Sequence, residues 1–222
     1  MFIQRKMLLA SVVAVSVVLA GCTSKVADTR QFSGFLPDYS QLRATQSASG
    51  QDTLRWISPD FKESDYRGIV FTPVIYYPAA APNARVSQAT LDQIRNYTDQ
   101  QLRAAVAKRK PLVKEAGPAT LIMKTAITAV TAENESVQFY EVIPIGAVIA
   151  GTMAAAGHRT QQSTLFLEVL LIDAQSGKPM VKIVRKGIGK NIANSNTPIN
   201  FEDLRQPINS MVNDTVNFQS DH

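Results

Sequence analysis

Few residues of this chain have the chemistry of a catalytic or metal-binding group. The 222 residues include one cysteine, Cys22, and two histidines, His158 and His222. The histidines do not have the spacing of metal ligands, and His158 borders a glycine-rich junction that is typical of a solvated loop. The serines lack the strand-turn-helix context that a hydrolase nucleophile requires. We therefore expect no enzymatic activity, no metal and no cofactor.

Two other patterns resemble chemical sites only superficially. Glu133, Glu135 and Glu141 could act as paired carboxylates, but a solvated loop explains them more simply. The run Lys186-Gly187-Ile188-Gly189-Lys190 suggests a phosphate loop. It lacks the full spacing of that motif and the Ser or Thr that should follow the lysine. We interpret its glycines as the end of a strand, with a bulge as the alternative.

Cys22 lies at the end of a predicted secretion signal. Arg5 and Lys6 precede an apolar or small-residue run from Met7 to Leu19. This run is shorter than the roughly 20 residues of a transmembrane helix and is typical of a signal peptide. The sequence Leu19-Ala20-Gly21-Cys22 resembles the lipobox of bacterial lipoproteins. That resemblance implies cleavage before Cys22 and attachment of fatty acyl chains, such as palmitate, to it. An ordinary secretory signal with a chance cysteine is the alternative.

The cysteine motif predicts three parts of the chain. Residues 1–21 form the signal peptide, 22–31 a lipidated flexible tether, and 32–219 a single periplasmic domain. Thr23 stands where an aspartate would resemble an inner-membrane retention signal, so we expect a lipid anchor in the outer membrane, facing the periplasm. Removing Arg5 and Lys6 with the signal lowers the formal charge from +5 to +3. A charge this small predicts no nucleic-acid partner.

Alternation of apolar and polar residues predicts the strands. Residues 66–77 are β-branched and aromatic and predict one strand, with Pro73 at an edge position or a bulge. Residues 119–132, 164–173 and 180–189 predict three more, and the turn residues between the last two predict an antiparallel hairpin. Two sets of residues should lie on opposite faces of the 119–132 strand: Leu121, Met123 and Ile127 on one, and Ile122, Lys124, Thr128 and Val130 on the other.

Two helices complete the predicted fold. One begins at the N-cap Ser87 and ends near Lys110, and its basic last turn suits the negative end of the helix dipole. The other follows Asn200 at the end of the chain, and Pro207 should split or kink it. This order of elements predicts an α+β fold, a mostly antiparallel sheet with helices packed on one face.

Two sets of residues are candidates for contact with a partner or ligand. The first is the segment 142–157, which is apolar and rich in glycine and alanine; its candidate partner-facing residues are Ile145, Gly146, Ile149, Gly151 and Met153. Small residues four apart allow close helix packing, so a buried helix or crossover is the alternative. The second set, Lys182, Lys186 and Lys190, would align along a strand and could contact an anionic ligand, unless it is simply a solvated strand face.

Four short runs identify a family that this chain resembles. They are Phe32-Ser33-Gly34-Phe35-Leu36-Pro37-Asp38-Tyr39, Leu54-Arg55-Trp56, Gly117-Pro118-Ala119 and Leu171-Ile172-Asp173-Ala174-Gln175-Ser176-Gly177. They resemble the proteobacterial lipoproteins catalogued as domain of unknown function 3313, over essentially the whole mature chain. The resemblance implies no activity and no functional residues. We also expect the aromatic first run to dock on the domain, because its apolar side chains need burial.

These features predict a non-catalytic lipoprotein of the cell envelope, a scaffold or assembly accessory. It would dock a protein partner, either another envelope protein or a second copy of the chain, through a face of its sheet or through residues 142–157. The alternative is a module that binds cell-wall glycan or lipid. That module would use the three lysines and exposed aromatic residues such as Tyr76 and Tyr77.

Overall fold

Seven strands form one sheet, and two helices cover one of its faces, within the residues that the computed structural model describes, 32–134, 161–194 and 196–219. The elements are β1 (Arg43–Gln46), β2 (Asp52–Ile57), β3 (Gly68–Phe71), β4 (Ile75–Tyr76), α1 (Gln88–Arg109), β5 (Thr120–Asn134), β6 (Gln161–Asp173), β7 (Pro179–Ile192) and α2 (Phe201–Val216). The strand order is β1-β2-β7-β6-β5-β3, with β4 also paired to β5. The predicted α+β fold with a mostly antiparallel sheet is confirmed.

The edge of the sheet beside β5 is parallel. Both β3 and β4 run parallel to β5, and α1 provides the crossover that a parallel connection needs. The prediction of one continuous strand over 66–77 is wrong, because β3 ends at Phe71 and β4 begins at Ile75, but the predicted irregularity at Pro73 in an edge strand is confirmed. Thr72 still bonds to β5, since its N–H and hydroxyl both donate to the carbonyl of Met123, at 3.1 and 2.9 Å. The Val74 N–H donates instead to the Asp99 carboxylate on α1, at 2.8 Å.

Local signals place the first helix and the hairpin as predicted. The Ser87 hydroxyl accepts the Thr90 N–H at 3.1 Å at the start of α1. The turn between β6 and β7 is held by Asp173, whose carboxylate accepts the N–H and the hydroxyl of Ser176, both at 2.6 Å. Gly177 adopts a φ of +70°, which an L side chain rarely adopts. These contacts close the antiparallel β6–β7 hairpin.

Helix α2 continues through Pro207, so the predicted split of this helix is not observed. A proline has no N–H to donate, which leaves the carbonyl of Asp203 without its helical partner. The buried Ser163 hydroxyl on β6 lies 3.2 Å from that carbonyl and donates to it. A Cβ at Gly189 on β7 would lie only 2.1 Å from the same oxygen. The glycine therefore lets the first turns of α2 pack directly on the backbone of the sheet.

The sheet separates two hydrophobic clusters. On its helix face, Leu121, Met123 and Ile127 pack beneath the helices, as predicted. Val130 joins this same cluster, although alternation predicts the opposite face, because a register shift between Ile127 and Ala129 reverses the alternation. On the other face, which we call the N-terminal face, Phe166, Leu170 and Val184 pack against residues that precede β1.

Candidate functional site

The N-terminal face holds a carboxyl group that is completely buried. Glu168, in the middle of β6, has a relative exposure of 0%. Its Oε1 accepts the hydroxyl of Ser33 at 2.9 Å and the N–H of Ser33 at 3.2 Å. Its Oε2 accepts the Tyr39 hydroxyl at 2.7 Å. Burying a carboxyl group without partners is costly, and both of its partners come from the same short segment. Glu168 therefore fixes Ser33 and Tyr39 against the sheet.

Tyr39 organises this segment around its hydroxyl group. Besides donating to Glu168, the hydroxyl accepts the N–H of Gly34 at 2.9 Å and that of Leu36 at 3.2 Å. The ring stacks on Phe32, with centroids 4.2 Å apart. Burial, followed by the hydrogen bond to Glu168, raises the pKa of Tyr39. The hydroxyl thus stays protonated and remains a donor at physiological pH.

A buried cation fixes the other end of the segment. Lys182 on β7 is 3% exposed, and its Nζ donates to the carboxylate of Asp38 at 3.1 Å and to its carbonyl at 3.2 Å. Nζ also donates to the side chain of Gln41 at 3.1 Å and lies 4.6 Å from the centroid of the Trp56 ring. Two hydrogen bonds from Ser40 and the one from Lys182 lower the pKa of Asp38 to about 2. Asp38 is therefore ionised at any physiological pH.

These contacts make the N-terminal face an attachment site for the chain's own segment Phe32–Leu42, which we call the docked segment. The predicted docking of its aromatic run is confirmed, since Leu36 is 2% exposed and Phe35 packs in the same cluster. The donors and acceptors of the site are satisfied within the protein. This arrangement can therefore hold the chain that precedes Phe32 in one orientation relative to the sheet.

The predicted basic row is not a continuous solvent-facing surface. Lys182 lies inside the protein, so it cannot contact an external anion as predicted. Lys186 is half-buried, with Nζ 5.7 Å from the centroid of the Phe166 ring, whereas Lys190 is exposed. A bulge in β7 between Ile188 and Asn191 interrupts the alternation ahead of Lys190.

The exposed aromatic residues proposed for ligand contact are only partly exposed. The Tyr76 hydroxyl donates to the carbonyl of Leu91 at 2.7 Å. Tyr77 is 39% exposed and packs at a tilt against Phe35 of the docked segment. Tyr76 thus attaches β4 to α1, and Tyr77 contacts the docked segment while part of its ring stays exposed. Ligand contact at these two residues stays a prediction.

The remaining predicted site residues lie outside the described part of the chain. These are the lipidation site Cys22, the lipobox residues Leu19, Ala20 and Gly21, and the candidate partner-facing residues Ile145, Gly146, Ile149, Gly151 and Met153. The segment 142–157 belongs to the connection between the end of β5 and the start of β6. As for the alternative surface, a face of the sheet, the docked segment packs on one side of the central strands and the helices pack on the other, apart from a cleft near the C-terminal ends of the helices.

The described residues show neither a metal-binding cluster nor a membrane-spanning helix. No three His, Cys, Asp or Glu side chains among them are grouped in a way that could hold a metal ion. Neither α1 nor α2 has an apolar stretch long enough to span a bilayer.

The fold and the site together define a class of protein, an α+β domain whose own N-terminal segment is attached to its sheet. The chain belongs to the family described as Protein of unknown function (DUF3313), whose model matches residues 31–215. It is 47% identical over 200 residues to the uncharacterized lipoprotein YdcL of Escherichia coli K12, covering 90% of each chain. The lipoprotein class predicted from the sequence is thus the class of this relative.

Two solved structures share parts of the architecture at low similarity. The hypothetical protein CT253 of Chlamydia trachomatis is 9% identical, with a TM-score of 0.40 over 69% of this chain and 97% of that one. The PelC dodecamer of Paraburkholderia phytofirmans is 12% identical, with a TM-score of 0.32 over 70% and 95% of the two chains. Neither likeness carries a functional conclusion for this chain.

Proposed function

We propose that this protein is a lipid-anchored, non-catalytic scaffold or assembly accessory of the cell envelope. It is attached to the outer membrane through acyl chains on Cys22, and its domain faces the periplasm. The signal-peptide pattern, the Leu19-Ala20-Gly21-Cys22 motif and the lipoprotein relative support the anchor. Two or more acyl chains hold a protein stably on a bilayer, whereas one binds only weakly.

The docked segment is the observation that carries the proposal. Only nine residues, 23–31, separate the acylated Cys22 from Phe32, and the ten chain steps between the two reach at most about 35 Å when fully extended. Phe32 and Ser33 are then attached to the sheet by Tyr39 and Glu168. A short tether and a fixed exit point keep the domain close to the membrane. The tether leaves from the N-terminal face, so the helix layer lies on the opposite side of the sheet from the point of attachment.

The partner-facing element of this scaffold is the segment 142–157. The docked segment and the helices each occupy part of one face of the sheet, so we favour the segment 142–157 over a face of the sheet as the docking element. The segment is apolar, carries no charged residue between Glu141 and Arg159, and joins β5 to β6. Its occupant is a protein of the envelope or a second copy of the chain.

Photo-crosslinking in cells tests both parts of the proposal, the lipid anchor on Cys22 and the docking of a partner by residues 142–157. A photoreactive residue replaces Ile145, Ile149 or Met153 in the full-length lipidated protein, and exposed Glu115 serves as the control position. We expect a discrete crosslinked band from the three positions and none from the control. The Cys22→Ser variant, with residues 1–21 replaced by the cleavable signal of a non-lipidated secreted protein, should lose the band and leave the membrane fraction. The proposal is wrong if this variant remains in the membrane after its signal is cleaved, or if the three positions give no band and the protein is monomeric.

A further inference from the structure

A cleft opens on the helix face, where the C-terminal ends of α1 and α2 leave the sheet uncovered. Its volume is about 110 Å³. Its floor consists of side chains from β5, β6 and β7, and they are apolar: Leu121, Leu167, Val169, Val181 and Ile183. A cavity of about 150 Å³ is large enough to bind benzene, so this cleft is of a size that holds a few methylene groups.

The rim of the cleft carries more positive than negative charge. Its charged side chains are Arg55, Glu63, Arg109, Lys110, Arg185 and Asp214. Glu63 pairs with Arg109 at 2.7 Å, and Asp214 pairs with Arg185. Because each of these acids is matched by an arginine, Arg55 and Lys110 give the described rim an excess of two positive charges.

Arg185 presents an unused hydrogen-bond donor beside this cleft. Its side chain is 7% exposed, and its Nε–H has no acceptor among the described residues. A buried donor without an acceptor destabilises a fold, so such groups are rare unless a ligand or solvent oxygen completes them. Arg185 lines the cleft next to its apolar floor, so its unused donor favours a ligand that combines an apolar part with an anionic oxygen.

An aromatic residue that follows α2 lies at the same cleft. The ring of Phe218 has the guanidinium of Arg55 5.7 Å from its centroid and that of Arg109 5.6 Å away. The ring also packs on the hydrophobic cluster beneath the helices. Phe218 therefore places an apolar surface between the two basic side chains, next to the floor.

We propose that the cleft binds a fatty acid, with the first few methylene groups of its alkyl chain on the apolar floor and the carboxylate at Arg55 and Arg185. The carboxylate neutralises one of the two excess positive charges and supplies an acceptor for the Arg185 Nε–H. A neutral alkane or alcohol would leave that charge excess unmatched. A folded protein partner could not enter a cleft of this size. This inference goes beyond the proposed scaffold role and does not depend on it.

Photoaffinity labelling of the full-length lipidated protein in phosphatidylcholine nanodiscs tests the inference. The probe is dodecanoate with a diazirine at its fourth carbon, among the methylene groups that the cleft can hold, and mass spectrometry maps the labelled residues. We expect labelling on the strands of the cleft floor. Unlabelled dodecanoate should compete, while dodecanol should compete at least about tenfold less well, as expected for the loss of one charge-assisted contact.

Two cleft variants and one matched control complete the test. Arg55→Gln should weaken competition by dodecanoate about tenfold and leave that by dodecanol unchanged. Arg205→Gln removes the same charge from an exposed site on α2 and should change competition by neither dodecanoate nor dodecanol. Ile183→Phe fills the floor and should abolish labelling, with hydrogen exchange confirming that it folds. Labelling outside the cleft, or labelling insensitive to Arg55→Gln, overturns the inference. Equal competition by a lysophospholipid overturns it in favour of a phospholipid ligand.

Discussion

Removal of one hydroxyl group should release the docked segment from the sheet. The Tyr39→Phe substitution keeps the ring that stacks on Phe32 but removes three hydrogen bonds, those to Glu168, Gly34 and Leu36. The bond to the buried carboxyl group is worth about 1–3 kcal/mol, because its loss leaves a buried acceptor without that partner. The two backbone bonds add about 0.5 kcal/mol each, because water can replace part of them. The total loss is about 2–4 kcal/mol.

Hydrogen exchange measures this loss where it arises. The N–H of Ser33 donates to Glu168 on the sheet, and those of Phe35 and Leu36 donate within the docked segment, so their exchange reports its opening. A loss of 2–4 kcal/mol speeds exchange through that opening roughly 30- to 1000-fold. If the segment opens only with the whole domain, the urea midpoint should fall instead, by about 1–2 M for an m value of about 2 kcal/mol/M.

The matched control is Tyr77→Phe, which removes a hydroxyl from a ring that is 39% exposed and packs against the same segment. Surface substitutions of this kind change stability by less than about 0.5 kcal/mol. If Tyr39→Phe leaves both the exchange rates and the urea midpoint within the range of this control, Glu168 does not hold the segment in the way described.

Two further predictions concern the close packing of α2 and the acid limit of stability. Gly189→Ala places a Cβ about where a carbonyl of α2 now lies, and we expect a loss of about 3 kcal/mol or more in urea unfolding. Gly117→Ala, which has open space around it, should change stability by less than about 0.5 kcal/mol, and equal losses in the two variants would contradict the packing argument. Burial would raise the pKa of Asp214, but hydrogen bonds from Ser49 and Arg185 outweigh it and hold this pKa below its usual value. The unfolded chain therefore binds more protons, so the stabilisation present above about pH 4 is lost as the pH falls through the lower folded pKa. Urea midpoints measured from pH 6 to 2 should show this fall, and an Asp214→Asn variant whose acid limb is as steep as that of the wild type would count against the assignment.

Local sequence signals were sufficient for the elements that depend on neighbours along the chain. The cap at Ser87, the turn at Asp173 and the alternation before Ile127 each act over a few residues, and each is confirmed. The break between β3 and β4 was missed because the Asp99 carboxylate that accepts the Val74 N–H belongs to α1.

The attachment site could not be derived in the same way, because its partners are far apart in sequence. Lys182 and Asp38 are separated by 144 residues, so no local pattern distinguishes this buried lysine from a solvated one. Glu168 gave the one usable signal, an acidic residue within the apolar run Leu165–Leu171. A lone charge in such a strand indicates a buried polar partner, but it does not say which segment provides it.

The position of the docked segment also determines how the domain responds to mechanical force. Any pull on the chain ahead of Phe32 reaches the contacts of Ser33 and Tyr39 with Glu168 before it reaches the first strand. Those few contacts break one after another, whereas the long β5–β6–β7 ladders lie behind them in the path of the force. Under tension the segment would therefore peel away and lengthen the tether by its own ten or so residues, while the sheet and its helices stay folded. With the proposed lipid anchor in place, the attachment site would act as an extensible coupling between the membrane and the domain.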